Sequence, residues 1–115
     1  MARFLFTARG FGSLTENQNQ LLLNNLLGTN SIWFMRQNHG NNFQIVSSKE
    51  SSHGVNRTEN EVDALITAEP QVALAVMVAD CLPVLIDATS VVAAVHVGRR
   101  GLMNEITLKV LQQIS

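Results

Sequence analysis

Three apolar runs of strand length follow one another between residues 72 and 97, and they constrain the fold more than any other feature of this sequence. The first, Val72 to Val78, is nearly continuous, as expected for a strand covered on both faces. The other two, Pro83 to Ile86 and Val91 to Val97, flank the turn-like Asp87-Ala88-Thr89-Ser90 and predict a hairpin. We therefore expect the core sheet late in the chain.

The rest of the chain predicts shorter elements. They are a strand at 3–8, a helix at about 15–27, strands at 31–37 and 43–46 with His39 in the turn between them, and a last helix that carries Leu102, Ile106, Val110, Leu111 and Ile114. Thr15 can cap the first helix, and Gly28 is placed to end it in the left-handed conformation. Residues 47–61 have no sustained apolar period, so we expect an exposed loop there, the best candidate for disorder.

Composition bounds the class of protein. A chain of 115 residues with 46% hydrophobic residues, 15% charged residues and a net charge of −1 is expected to form one globular domain over 1–115. No basic excess favours nucleic acid as a partner. One cysteine makes no internal disulfide, and no run approaches the roughly 18 apolar residues of a membrane helix, so the sequence indicates a cytoplasmic protein that binds no membrane.

The soft or borderline metal ligands are Cys81, His39, His53 and His96, with acids nearby at Asp63, Asp80 and Asp87. None has the local spacing of a zinc finger or knuckle. A metal site would therefore have to be assembled by tertiary structure from ligands at strand ends. The alternative is that the cysteine is a small buried apolar group, that His96 is a core histidine, and that His53 is simply exposed in its serine-rich loop.

Two glycine-flanked segments could bind an anion. Gly98-Arg99-Arg100-Gly101 precedes the last helix, where unpaired backbone amides and the helix dipole favour an anion, and arginine adds bidentate recognition of phosphate or carboxylate. Arg9, beside Gly10, is a second candidate. The alternative for both segments is an ordinary glycine turn with solvated arginines.

Four motifs in order resemble the successive signatures of the laccase-domain family, also called multicopper polyphenol oxidase-like or purine nucleoside phosphorylase proteins. They are Gln37-Asn38-His39-Gly40, Val62-Asp63-Ala64-Leu65-Ile66-Thr67, Val78-Ala79-Asp80-Cys81-Leu82-Pro83-Val84 and His96-Val97-Gly98-Arg99-Arg100-Gly101. Phe6-Thr7-Ala8-Arg9-Gly10 resembles a fainter N-terminal motif of the same family.

The resemblance implies a cytoplasmic enzyme with an α/β (α+β) sandwich fold and a mixed β-sheet. It also implies that His39, Cys81 and His96 converge on one metal, zinc or alternatively copper. A thiolate and two imidazoles suit tetrahedral zinc with its fourth position open. Family members continue well beyond the helix that follows His96, so the chain is expected to correspond to a C-terminally truncated version of the family domain.

The activity implied is phosphorolysis of adenosine, inosine, guanosine and methylthioadenosine, with adenosine deamination as a further reaction. Purine nucleosides and phosphate would be the partners. The residues expected at the site are Cys81 and Asp80 for catalysis, and Arg100, Gly98, Gly101 and Arg9 for phosphate or substrate. Asp80 could instead orient a ligand or cap the strand end.

Two other functions are open. The first is copper-dependent oxidation of phenols. The sequence supports this hypothesis less well, because multicopper sites need many histidines and the sequence has three. A non-catalytic remnant that acts as an interaction piece is the other. It would self-associate through the sheet edge left by the missing strands.

Overall fold

The structure, a computed structural model, describes residues 17–38, 40, 42–47, 52–77, 82–88, 90–97 and 103–114. Its elements in chain order are α1 (Asn17–Leu27), β1 (Ser31–Arg36), β2 (Phe43–Ile45), β3 (Gly54–Glu61), β4 (Ala64–Thr67), β5 (Val72–Leu74), β6 (Leu82–Asp87), β7 (Val92–Val97) and α2 (Met103–Ile114). The strand expected at 3–8 and the cap expected at Thr15 lie outside this part of the chain.

The strands form two sheets. The first has the order β3-β1-β5 and is parallel throughout. The second has the order β2-β4-β7-β6 and is mixed, because β2 runs parallel to β4 while β7 runs antiparallel to both β4 and β6. The expectation of a late core sheet is therefore half right. Two of the three late runs, β6 and β7, lie in one sheet with β2 and β4, but the first late run forms β5 of the other sheet, beside its central strand β1.

The sheets pack face to face between the two helices. Trp33 and Met35 of the first sheet share a buried cluster with Leu65 of the second. On the outer face of the second sheet, side chains of β4 and β7 pack against Ile106 and Val110 of α2. On the outer face of the first sheet, Leu23 of α1 packs with Ile32 and Phe34. The result is the α/β sandwich with a mixed sheet that the family resemblance implies.

The first helix is confirmed over Asn17–Leu27. It ends where expected, since Gly28 has φ of 70° and its N–H donates to the carbonyl of Asn24 at 3.1 Å. The leucine stripe is only partly buried. Leu23 lies on the buried face, whereas Leu21 and Leu26 are exposed.

The expectation of a loop over 47–61 is wrong for residues 54–61, which form β3. This strand lies at an edge of its sheet and pairs with β1 through the backbone, with Ser31 opposite Gly54 and Phe34 opposite Arg57. Its side chains are mostly exposed or half-buried, so the segment has none of the apolar alternation by which strands are recognised.

The late apolar runs form the expected strands. The hairpin is confirmed, with β6 antiparallel to β7 and the N–H of Ala88 donating to the carbonyl of Val91 at 3.0 Å. The first run is shorter as a strand than expected, since β5 ends at Leu74. Its residues do face both sides, because Leu74 packs with the cluster between the sheets and Ala73 with the cluster under α1.

Across the described segments, neither helix has the length and apolarity needed to cross a membrane.

Candidate metal site

His96 is a buried histidine near the end of β7, with 3% of its surface exposed. Its neighbours Val95 and Val97 face α2, so strand alternation directs the imidazole to the other face of the sheet, toward the first sheet. A buried imidazole needs polar partners. The partner of its Nδ1 atom is the Oδ2 atom of Asp63, at 2.6 Å.

Asp63 lies directly across the sheet from His96. It precedes β4, and because Ala64 pairs with Val95, the antiparallel register sets Asp63 opposite His96. The backbone N–H of His96 donates to the Asp63 carbonyl at 2.7 Å. The Asp63 side chain is fully buried. An ionised carboxylate only accepts hydrogen bonds, so with an ionised Asp63 the Nδ1 atom of His96 is the donor in this contact.

The other carboxylate oxygen of Asp63 binds the loop between β1 and β2. Its Oδ1 atom accepts hydrogen bonds from the backbone N–H of Asn38, at 3.1 Å, and of Gly40, at 2.9 Å. The N–H of Asp63 in turn donates to the carbonyl of Asn42 at 2.9 Å. Asn38 and Gly40 are the chain neighbours of His39, so one carboxylate holds both sides of that position.

The described residues on either side of Cys81, Met77 and Leu82, contact the same region. Leu82, the residue after Cys81, pairs with Val97, the residue after His96. Before Cys81, Met77 is bound by the side chain of Gln37, whose Nε2 donates to the Met77 carbonyl at 2.7 Å and whose Oε1 accepts from the Met77 N–H at 2.9 Å.

Of the expected site residues, the structure describes His96. The others, His39, Asp80, Cys81, Arg9, Gly98, Arg100 and Gly101, lie outside the described residues and remain predictions. Within the described segments, no three His, Cys, Asp or Glu side chains are grouped to hold a metal ion. His53 is exposed, as expected. It precedes Gly54, which pairs with Ser31 at the start of β1, whereas the His39 loop follows the end of that strand.

Sequence reasoning identified Asp63 as a nearby acid and gave no role to it or to Gln37. A signal for Asp63 was present, because an aspartate at the head of the apolar run Ala64-Leu65-Ile66 has to be paired if it is buried. Gln37 carried no comparable signal.

His96, the one expected ligand that the structure describes, has a contact that fits the bound metal that the resemblance implies. Histidines that bind metals usually donate their second ring N–H to a carboxylate or carbonyl, which fixes the ring and leaves the other nitrogen as the ligand. The Nδ1 contact with Asp63 has this form, so His96 would bind through Nε2. The described neighbours of His39 and Cys81 lie on either side of this pair, as the strand pairings and the loop hydrogen bonds show.

Residues 13–115 match the model of a family described as multi-copper polyphenol oxidoreductase laccase. Among curated proteins, the chain is 34% identical over 104 residues to a purine nucleoside phosphorylase of Corynebacterium glutamicum, covering 89% of this chain and 41% of the relative. It is 38% identical over 89 residues to a purine nucleoside phosphorylase of Mycobacterium tuberculosis, covering 76% of this chain and 33% of the relative.

The fold is similar to the crystal structure of a Neisseria meningitidis protein of family DUF152, with a TM-score of 0.63 and 27% identity. That match covers 84% of this chain and 38% of the other. The chain therefore spans less than half the length of these relatives.

Proposed function

Because the chain belongs to the multi-copper polyphenol oxidoreductase laccase family, we propose that it carries the metal-binding part of a purine nucleoside phosphorylase site. In this reaction the bond between the purine nitrogen and C1′ of ribose breaks, a phosphate oxygen bonds to C1′, and the base leaves with a proton. The names of the relatives from Corynebacterium glutamicum and Mycobacterium tuberculosis support this choice of reaction.

The observation that carries the proposal is the convergence of segments on Asp63 and His96. The backbone on both sides of His39 binds Asp63, His96 binds the same carboxylate, and the residue after Cys81 pairs with the residue after His96. Such an arrangement is what a site with ligands at His39, Cys81 and His96 requires, since the sequence separations between them are too long for a local motif.

The three ligands and the neighbouring groups would have different roles in the reaction. His39, Cys81 and His96 would hold the metal, which as zinc would supply Lewis-acid chemistry at the site. Arg100, with the amides of Gly98 and Gly101, would hold phosphate between β7 and α2, with Arg9 as a further contact. Asp80, next to the cysteine, would orient a ligand or move a proton.

Copper-dependent oxidation of phenols is a second candidate, because the family description names it. The number of histidines argues against an oxidase, since the sequence contains three and multicopper centres use many. The position of His53 counts against it further. This residue precedes Gly54, the strand partner of Ser31, so the whole of β1 lies between it and the His39 loop. The five steps from Ser31 to Arg36 alone span roughly 16 Å at about 3.3 Å per residue.

The test is release of hypoxanthine and ribose 1-phosphate from inosine by the zinc-loaded chain, with and without phosphate. We expect release that depends on phosphate, and its loss in the His96→Ala variant. His53→Ala removes an exposed histidine instead and should keep full activity. Inosine formed from adenosine without phosphate measures deamination separately.

Two results would contradict the proposal. One is inosine cleavage that is absent, or equal with and without phosphate, in a folded wild-type chain that binds zinc. The other is oxygen uptake with a phenol that rises with bound copper, which would favour the oxidase instead.

A further inference from the structure

Asp63 is a buried carboxylate that contacts both histidine-bearing segments. Burying an ionised carboxylate is costly unless its oxygens are hydrogen-bonded. Here each oxygen serves a different part of the fold: Oδ1 accepts from the amides of Asn38 and Gly40, and Oδ2 contacts Nδ1 of His96. A hydrophobic residue of similar size would fill the same space, so packing alone does not explain an aspartate at this position.

The two contacts of Asp63 have different effects, one on the position of the loop after β1 and the other on the His96 ring. The amides on either side of His39 fix where that loop lies relative to the sheet. The contact with His96 fixes the ring orientation and sets the proton on Nδ1, so that Nε2 faces away from Asp63. Because both contacts come from one side chain, the position of the backbone at Asn38 and Gly40 is coupled to the orientation of the His96 imidazole.

We propose that Asp63 is the positioning residue of the metal site, which holds the His39 loop and the His96 imidazole on one carboxylate in the geometry that binds zinc. This inference rests on the proposed function for the identity of the ligands. It adds a role for a residue that touches neither the metal nor the substrate.

The Asp63→Asn variant separates this role from packing. It keeps the shape of the side chain, and its amide oxygen can still accept from Asn38 and Gly40. Its NH₂ group would then face Nδ1 of His96 and donate to it, which places the imidazole proton on Nε2. That tautomer has the proton on the nitrogen through which His96 would bind zinc.

The experiment measures the zinc affinity of the full chain and the tautomer of His96 in the zinc-free chain, by NMR of ¹⁵N-labelled histidine. We expect the Nδ1–H tautomer in the wild type and the Nε2–H tautomer in Asp63→Asn, with zinc affinity about 10- to 100-fold weaker in the variant. Asp87→Asn is the matched control. It removes an exposed carboxylate at the far end of β6, opposite Val92, and should change neither quantity.

Each outcome decides the inference. Wild-type zinc affinity in a folded Asp63→Asn variant overturns it, as does an Nε2–H tautomer in the wild type, which can be read even if the variant fails to fold. A wild type that binds no zinc overturns both this inference and the metal site. Zinc binding and tautomers as expected, without phosphorolysis, overturn the proposed activity alone and leave the role of Asp63 standing.

Discussion

The side chain of Gln37 forms a pair of hydrogen bonds with the backbone of Met77, donating from Nε2 to the carbonyl and accepting at Oε1 from the N–H. The pair continues the contact between β1 and β5, in which the N–H of Ala75 donates to the carbonyl of Trp33 at 2.9 Å. Gln37 stands two residues before His39, and Met77 four residues before Cys81. The amide therefore ties together two segments that lead to expected ligands.

Gln37→Met should weaken both stability and zinc binding. The substitution keeps the length of the side chain but leaves the N–H and carbonyl of Met77 without this partner, which costs about 1–3 kcal/mol for a buried group and less for a half-buried one. Denaturant unfolding and zinc affinity are the measurements. Gln71→Met makes the same change at an exposed site before β5 and should leave both values unchanged. Equal behaviour of the two variants would show that the Gln37 pair has no role.

A second hydrogen-bonding side chain bridges a register shift in the first sheet. Phe34 pairs with Arg57 but Arg36 pairs with Glu61, so the pairing of β1 with β3 is interrupted between them. The buried hydroxyl of Thr58 lies in this interval, where it accepts from the N–H of Arg36 at 3.0 Å and donates to the carbonyl of Asn60 at 2.9 Å.

Thr58→Val should therefore lower the free energy of unfolding by about 1–3 kcal/mol, because it leaves a buried donor without its acceptor while keeping the side-chain shape. Thr58→Ser retains the hydroxyl and should lose less. Amide hydrogen exchange over residues 54–57 gives a local readout, since their pairing with β1 predicts slow exchange that the valine variant accelerates. Fast exchange of these amides in the wild type would contradict the strand itself.

The comparison of β3 with β7 shows what the sequence could predict. The apolar run of β7 predicted a buried strand, because burial of side chains leaves a pattern in the sequence. The polar strand β3 leaves none, since it is held by backbone pairing at a sheet edge. At the site, His96 was identified as a candidate ligand, but its contact with Asp63 joins residues 33 positions apart. That contact depends on the register between β4 and β7, which local spacing does not encode.

The second sheet depends on the buried face of α2. Ile106 is 2% exposed and packs against β4 and β7, whereas Leu108, two residues on, is 54% exposed. Ile106→Ala should cost about 2–5 kcal/mol through lost burial and the cavity left behind. Leu108→Ala, on the same helix, should change stability by no more than about 0.5 kcal/mol. Thermal or denaturant unfolding measures the stability of the two variants. A similar loss of stability in both would contradict the orientation of the helix.

The outer side of α2 presents apolar side chains beside a sheet edge. Leu108 and Leu111 are 54% and 42% exposed, and they line a groove with Ile86 of β6 and Ile114. Among the described strands, β6 pairs with β7 alone, so its other edge has no described partner. Exposed apolar patches and open strand edges both favour association.

We therefore expect the chain to self-associate through the outer side of α2 and the adjoining edge of β6. The variant Leu108→Glu/Leu111→Glu should shift the equilibrium toward the monomer by tenfold or more, since two like charges in an apolar contact cost well over the ~1.4 kcal/mol that a tenfold change requires. Sedimentation across a range of concentrations measures it. Leu21→Glu/Leu22→Glu removes two leucines of similar exposure from α1, against the other sheet, and should leave the equilibrium unchanged. If both double variants dissociate the assembly equally, association is nonspecific, and a wild type that stays monomeric shows that the apolar groove does not drive association.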